Sequence, residues 1–228
     1  MHKVAPQSCA SGGKVMSVGI KAFCLINSLK TLCTKLHLSL ALAREGKVVK
    51  QYLIAHVELA KQKLMNGEHQ KALDLLTAAE HYPHNLGEGK LYGTQENDIH
   101  YLQGCAYEGL GMIKEAMEKF IQATIGISEP VQAIFYNDSQ PDKILYQGLA
   151  WIKLGESSKA KNIFERLIQF GYEHKHDEIK IDYFAVSLPD LLVFDQDLNL
   201  KNKIHCKYLI GLGKLGIGKL CGSRKRIE

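Results

Sequence analysis

The first 44 residues contain no aspartate or glutamate, although they hold five lysines and one arginine. That leader carries more positive charge than the whole chain, whose net charge is +5, so the remainder is slightly acidic. A second basic cluster, Lys214, Lys219, Arg224, Lys225 and Arg226, sits at the other end. A nucleic-acid interface needs its basic stripe on one folded face, and charge confined to two ends argues against one. Long apolar runs are also missing. The segment 15–43 is apolar but broken by Lys21, Lys30 and Lys35. A membrane-spanning helix needs about 20 largely apolar residues, so no membrane span is expected. The same lysines break the continuous core of a signal peptide. Residues 1–48 therefore read as a basic, helical leading segment. Six cysteines, at positions 9, 24, 33, 105, 206 and 221, include no C-x-x-C pair. That excludes a zinc ribbon and a thioredoxin-type site, and scattered reduced cysteines fit a cytoplasmic protein. No Ser–His–Asp order, paired carboxylates or nucleophile elbow points to catalysis, and no cofactor is implied.

What is present is a repeat. The segments LMNGEHQKALDLLTAA (64–79), GLGMIKEAMEKFIQAT (109–124) and KLGESSKAKNIFERLI (153–168) align column by column. Each has a turn glycine (Gly67, Gly111, Gly155), a small residue five positions on (Ala72, Ala116, Ala160) and then a large apolar one (Leu76, Phe120, Phe164). The step is 44 residues throughout. The glycine relieves a tight turn between two antiparallel helices. The alanine lets them approach, and the large residue four positions later lies on the same face and fills the space between them. Ahead of the turns, Gly104 and Tyr107, and then Gly148 and Trp151, place a close-contact glycine and a bulky aromatic on the preceding helix.

Gly104, Tyr107, Gly111, Ala116, Phe120 and Ala123 resemble the tetratricopeptide repeat, and Gly148, Trp151, Gly155, Ala160 and Phe164 follow the same pattern. The first unit departs from it, with Ala60 and Lys63 where glycine and an aromatic would stand. The family repeat is 34 residues. The 44-residue step is accounted for by loop-like inserts at 81–97 and 126–142, which carry Pro, Gly and Asn. The resemblance implies an all-α fold, a right-handed superhelical solenoid of antiparallel helical hairpins. The inserts and the segment IDYFAVSLPDLLVFDQDL also resemble the C-terminal repeat array of large bacterial proteins with an uncharacterised β-rich, carbohydrate-related N-terminal domain.

The stretch YLIGLGKLGIGK (208–219) contains a literal G-x-G-x-x-G at Gly211, Gly213 and Gly216. A dinucleotide fingerprint needs a strand before it and an acidic residue about 20 positions later. Only 12 residues follow Gly216 in this sequence, and no βαβ unit fits among them. Gly213, Gly218 and Lys219 have phosphate-loop spacing, but Leu220 replaces the magnesium-holding hydroxyl residue. The stretch aligns instead with YLQGCAYEGLG (101–111), putting Gly211 on Gly104 and Gly218 on the turn glycine Gly111. It is expected to be the first helix of an incomplete fourth repeat, packed on the third repeat or on residues 183–194. Its outer face should be under-covered, since terminal repeats normally carry a polar capping face.

The expected organisation is a leading segment (1–48), three hairpins (49–172), a connection and single helix (173–220) and a basic tail (221–228). His174, His176 and Asp177 have the residue types of a metal cluster, and FDQDLN (194–199) is calcium-loop-like, but a polar loop explains each better. His81 and His84, flanking Pro83, read as loop residues. No metal site is expected. In a solenoid, first helices line the concave surface, where helical counting puts Val57, Lys61, Tyr101, Cys105, Glu108, Leu145, Leu149 and Lys153. The family's terminal-carboxylate clamp uses Lys and Asn at first-helix positions. Here those positions hold Val57, Lys61, Tyr101 and Cys105, so that clamp is not formed. The reading is a non-catalytic scaffold binding a peptide or protein partner through that groove, with homodimerisation through the uncapped C-terminal repeat as one option. The alternative is an accessory segment of a bacterial carbohydrate-active enzyme whose catalytic domain lies outside this chain.

Overall fold

The computed structural model describes residues 47–86, 89–132, 138–179 and 197–224. The expected leading segment up to residue 46, residues 183–194 and the last four residues of the basic tail lie outside them. The described residues are helical, without a strand: α1 Lys47–Met65, α2 His69–Ala79, a 3-10 turn His84–Leu86, α3 Asn97–Gly109, α4 Ile113–Ala123, α5 Pro141–Lys153, α6 Ser157–His174 and α7 Leu198–Arg224. They divide after Lys90 into two compact units.

The turn sequences explain the three hairpins α1–α2, α3–α4 and α5–α6. Gly67, Gly111 and Gly155 take positive φ values of 74°, 77° and 81°, a backbone state that side-chain-bearing residues rarely adopt. Each glycine N–H bonds the carbonyl three residues back, at 3.1 Å in all three turns. The next residue bonds five back: Glu68 to Lys63, Met112 to Tyr107 and Glu156 to Trp151, each at 2.9 Å. This double closure satisfies carbonyls that a helix end would otherwise leave unpaired.

In the first unit, Ala60 on α1 faces a core made by Ala72, Leu76 and Ala79 of α2, all four fully buried. The Tyr52 hydroxyl donates to the Ala78 carbonyl at 3.0 Å, tying the two helices at their open end. At the turn, Glu68 accepts from Lys63 at 2.9 Å and from Lys71 at 2.5 Å. Lys63, aligned by the 44-residue step with Tyr107 and Trp151, is thus an ion-pair donor to the turn itself.

In the second unit the close-contact glycines are occupied as slots. A Cβ on Gly104 would lie 2.5 Å from the Phe120 ring, and one on Gly148 would overlap the Phe164 ring. Pro141 opens α5 at a first-turn position, where its missing N–H costs nothing. Asp98 and Lys143, both mostly shielded from water, pair at 2.5 Å between α3 and α5. The described part of the insert between α4 and α5 is held by side chains of α3, α5, α6 and α7. Asn97 donates to the Ala123 and Ile125 carbonyls, Gln147 to that of Ile127 and His205 to that of Val131. Arg166 pairs with Glu129, and Ser139 donates to the Glu129 carbonyl.

Helix α7 runs antiparallel to α6, starting where the Asp197 carboxylate accepts the Leu200 N–H at 3.0 Å. Two glycines let the backbones nearly touch. A Cβ on Gly171 would sit 2.6 Å from the Cys206 carbonyl oxygen, and one on Gly213 would sit 2.6 Å from that of Phe164. A Cβ on Gly216 would also overlap the Phe164 ring. Two expectations need correction here. Gly211 makes no close contact, with no atom within 4 Å of its would-be Cβ, because α7 turns Gly213 and Gly216 toward α6 instead. Gly218 makes no turn, since the helical hydrogen-bond ladder continues through it to Arg224.

Two outcomes test this packing. Gly213→Ala should lower stability by about 2 kcal/mol, as overpacking against a backbone outweighs the recovered helix propensity. Gly211→Ala, with open space around it, should instead raise stability by about 1 kcal/mol; urea unfolding midpoints report both. Separately, the lysines that donate to Glu68 lower its carboxyl from 4.5 to about 2. A lowered carboxylate pKa contributes stability above the unfolded value and loses it as pH falls. That contribution should be complete above about 4.5 and gone below about 2. NMR titration of the Glu68 carboxyl should move back toward 4.5 in Lys71→Ala.

Candidate partner-binding site

The glycine-rich stretch is not a phosphate cradle. Gly211, Gly213 and Gly216 lie inside α7, where backbone N–H groups are committed to the helix, and Gly213 and Gly216 are buried against α6. A phosphate loop needs those amides free and pointing at the ligand.

The face shared by α3 and α5 brings four predicted residues together. Tyr101, Cys105 and Glu108 come from successive turns of α3, and Lys153 from α5, while Leu149 packs against the core shared by α5, α6 and α7. Two rungs connect the helices. At one end the Tyr101 ring lies 5.5 Å from that of Tyr146 and 5.8 Å from Phe120. At the other, Lys153 Nζ pairs with the Glu108 carboxylate and sits 5.7 Å above the Phe120 ring. Between the rungs the Cys105 thiol meets the Tyr101 hydroxyl. Burial pushes both the Tyr101 phenol and the Cys105 thiol up, and the nearby Lys153 ammonium only partly opposes the shift at Cys105. Both groups therefore stay protonated near neutral pH, and Cys105 is a packing and hydrogen-bonding group rather than a nucleophile. Tyr146 was not singled out from the sequence; its place one turn before Leu149–Ala150 on α5, beside Leu145, was the available signal.

The remaining predicted groove residues are placed differently. Val57 and Leu145 are 6% and 7% exposed and belong to cores, because their helix faces turn toward packing partners rather than solvent. Lys61, in the first unit, pairs with Glu58 at 2.8 Å along α1. Of the repeat-defining positions, Ala72, Ala116, Ala160, Phe120 and Phe164 are buried. Trp151 lies under the Lys159 ammonium at 4.3 Å, and Tyr107 supplies the carbonyl that closes its turn.

The His174–Asp177 segment caps α6. His174 Nδ1 and Asp177 Oδ2 lie 2.6 Å apart, and Asn202 donates to the His174 carbonyl at 2.8 Å. Among the described residues no three His, Cys, Asp or Glu side chains are grouped to hold a metal ion. No described helix is long and apolar enough to cross a membrane.

The α5–α6 hairpin, with its glycine slot, left-handed turn glycine and buried alanine and phenylalanine, carries the decisive pattern. A tetratricopeptide repeat family model matches residues 144–169. The match runs from the first turn of α5 into the last third of α6. No solved structure matches the chain. The α3–α4 hairpin has the same kind of slot, Gly104 against Phe120. Such repeats are interaction modules, and the α3–α5 face is the side of the second unit with aromatic, thiol and charged groups gathered on it.

Site-resolved alkylation should place the Cys105 thiol above its ordinary 9.0. Lys153→Met should raise it further, because the one nearby cation that favours thiolate is removed. A midpoint at or below 9.0 would contradict this account of the face.

Proposed function

We propose that the chain is a non-catalytic scaffold that holds a peptide or a partner protein's segment across α3 and α5. The observation that carries this reading is the double bridge, Tyr101–Tyr146 and Glu108–Lys153, with Cys105 between. The tetratricopeptide match at 144–169 supports an interaction role. The chemistry of the bridge also narrows the ligand. Lys153 is neutralised by Glu108, so a terminal carboxylate would have to displace an existing partner. An apolar or aromatic segment would not, and could stack on Tyr101 and Tyr146. Binding energy then comes from a few anchors rather than from the whole contact area. Residues 49–172 supply the hairpins and the remainder flanks them, with a cytoplasmic setting the natural one for the exposed thiol of Cys221.

The test is affinity capture with wild-type, Tyr101→Ala and Lys153→Ala chains, followed by direct titration of each recovered partner. Tyr101→Ala should weaken binding by about tenfold or more. Lys153→Ala should have a smaller effect that fades with added salt. Identical partners and affinities for all three chains would remove the groove.

A further inference from the structure

Helix α7 has two apolar faces. One, carrying Leu209, Leu212, Gly213, Gly216 and Leu220, is buried on α6 and α5. On the opposite side Leu200, Ile204, Tyr208, Gly211, Leu215 and Gly218 recur at steps of four, four, three, four and three residues. Leu200, Ile204 and Leu215 on that side are 54%, 59% and 52% exposed, and the space beside Gly211 is open. In register, Tyr208 and Gly211 correspond to Tyr101 and Gly104. On α3 that same pair receives Phe120 from the antiparallel helix α4, with Ala116 and Ala123 on either side of the phenylalanine. The Gly148 slot on α5 receives Phe164 in the same way.

We infer that this second face of α7 docks an amphipathic helix of a partner protein, seated as α4 sits on α3, with an aromatic side chain at Gly211. The charge of α7 selects that occupant. The helix holds Lys201, Lys203, Lys207, Lys214 and Lys219, all exposed, and no aspartate or glutamate. By helical spacing, Lys201 and Lys219 flank one edge of the apolar row and Lys203, Lys207 and Lys214 the other. A second copy of α7 would bring five further lysines against these. An acidic partner helix finds a counter-charge along both edges. The occupant is therefore a helix with the pattern Ala-x-x-x-Phe-x-x-Ala, edged by Asp or Glu. This surface is separate from the α3–α5 face and does not depend on it.

The test uses the full chain and a fluorescent peptide copying residues 111–125, with Lys114→Glu and Lys119→Glu to make it acidic. Wild type should bind the peptide, and binding should weaken as ionic strength rises. The same peptide carrying Phe120→Ala should bind far less. In the chain, Gly211→Leu fills the slot and should weaken binding by about tenfold. Its unfolding midpoint should hold or rise, since leucine is the better helix former. Tyr101→Ala in the chain should leave peptide binding unchanged, separating this site from the other. Three results would overturn the inference. One is no binding by wild type. Another is equal binding by Gly211→Leu. The third is a wild-type dimer in sedimentation that Gly211→Leu dissolves, which would give the face to a second copy.

Discussion

The ring of Phe164 lies directly against two glycines, Gly148 on α5 and Gly216 on α7, and the second unit is arranged around that contact. Fully buried, the ring has nowhere to move when either neighbour grows by a methyl group. One side chain therefore fixes the spacing of three helices. Around it Ile144, Leu145, Ile163, Leu167, Leu209 and Leu212 close a continuous core. The hairpin geometry of α5–α6 and the docking of α7 are two aspects of one packing event.

Backbone proximity reinforces it. At Gly171 and Gly213 the α6 and α7 backbones come close enough that no side chain fits between them. Helices in such contact cannot slide by a residue without driving a side chain into a carbonyl. The insert after α4 adds a second constraint, because α3, α5, α6 and α7 each supply a polar side chain that holds it. Positions that look like a long loop are thus part of the framework that carries Tyr101 and Tyr146.

The hairpins were legible because their signals are local. A turn glycine, an alanine five residues later and a phenylalanine four beyond that dictate a turn, a close approach and a filled gap within about ten residues of chain. In the first unit Ala60 and Leu76 stand at the sequence positions of Gly104 and Phe120, and both are fully buried. That 208–219 is helical was legible, but which face of that helix meets α6 was not. A helix with apolar residues on two sides has no periodic signal to choose between them. The choice is made by Gly213 and Gly216, whose lack of a side chain admits the Phe164 carbonyl and ring. The burial of Val57 and Leu145 was not legible for a related reason, since counting along a helix gives direction but not what lies across from it.

The paired volumes of this fold carry an evolutionary consequence. Gly104 fits against Phe120, and Gly148 and Gly216 fit against Phe164, as complementary volumes rather than as independent residues. A change at one member is tolerable only if another gives way, so these positions are inherited as sets. The set at Phe164 has three members on three helices. The third hairpin therefore cannot be duplicated or exchanged alone, as units of a repeat array usually can, without bringing α7 with it.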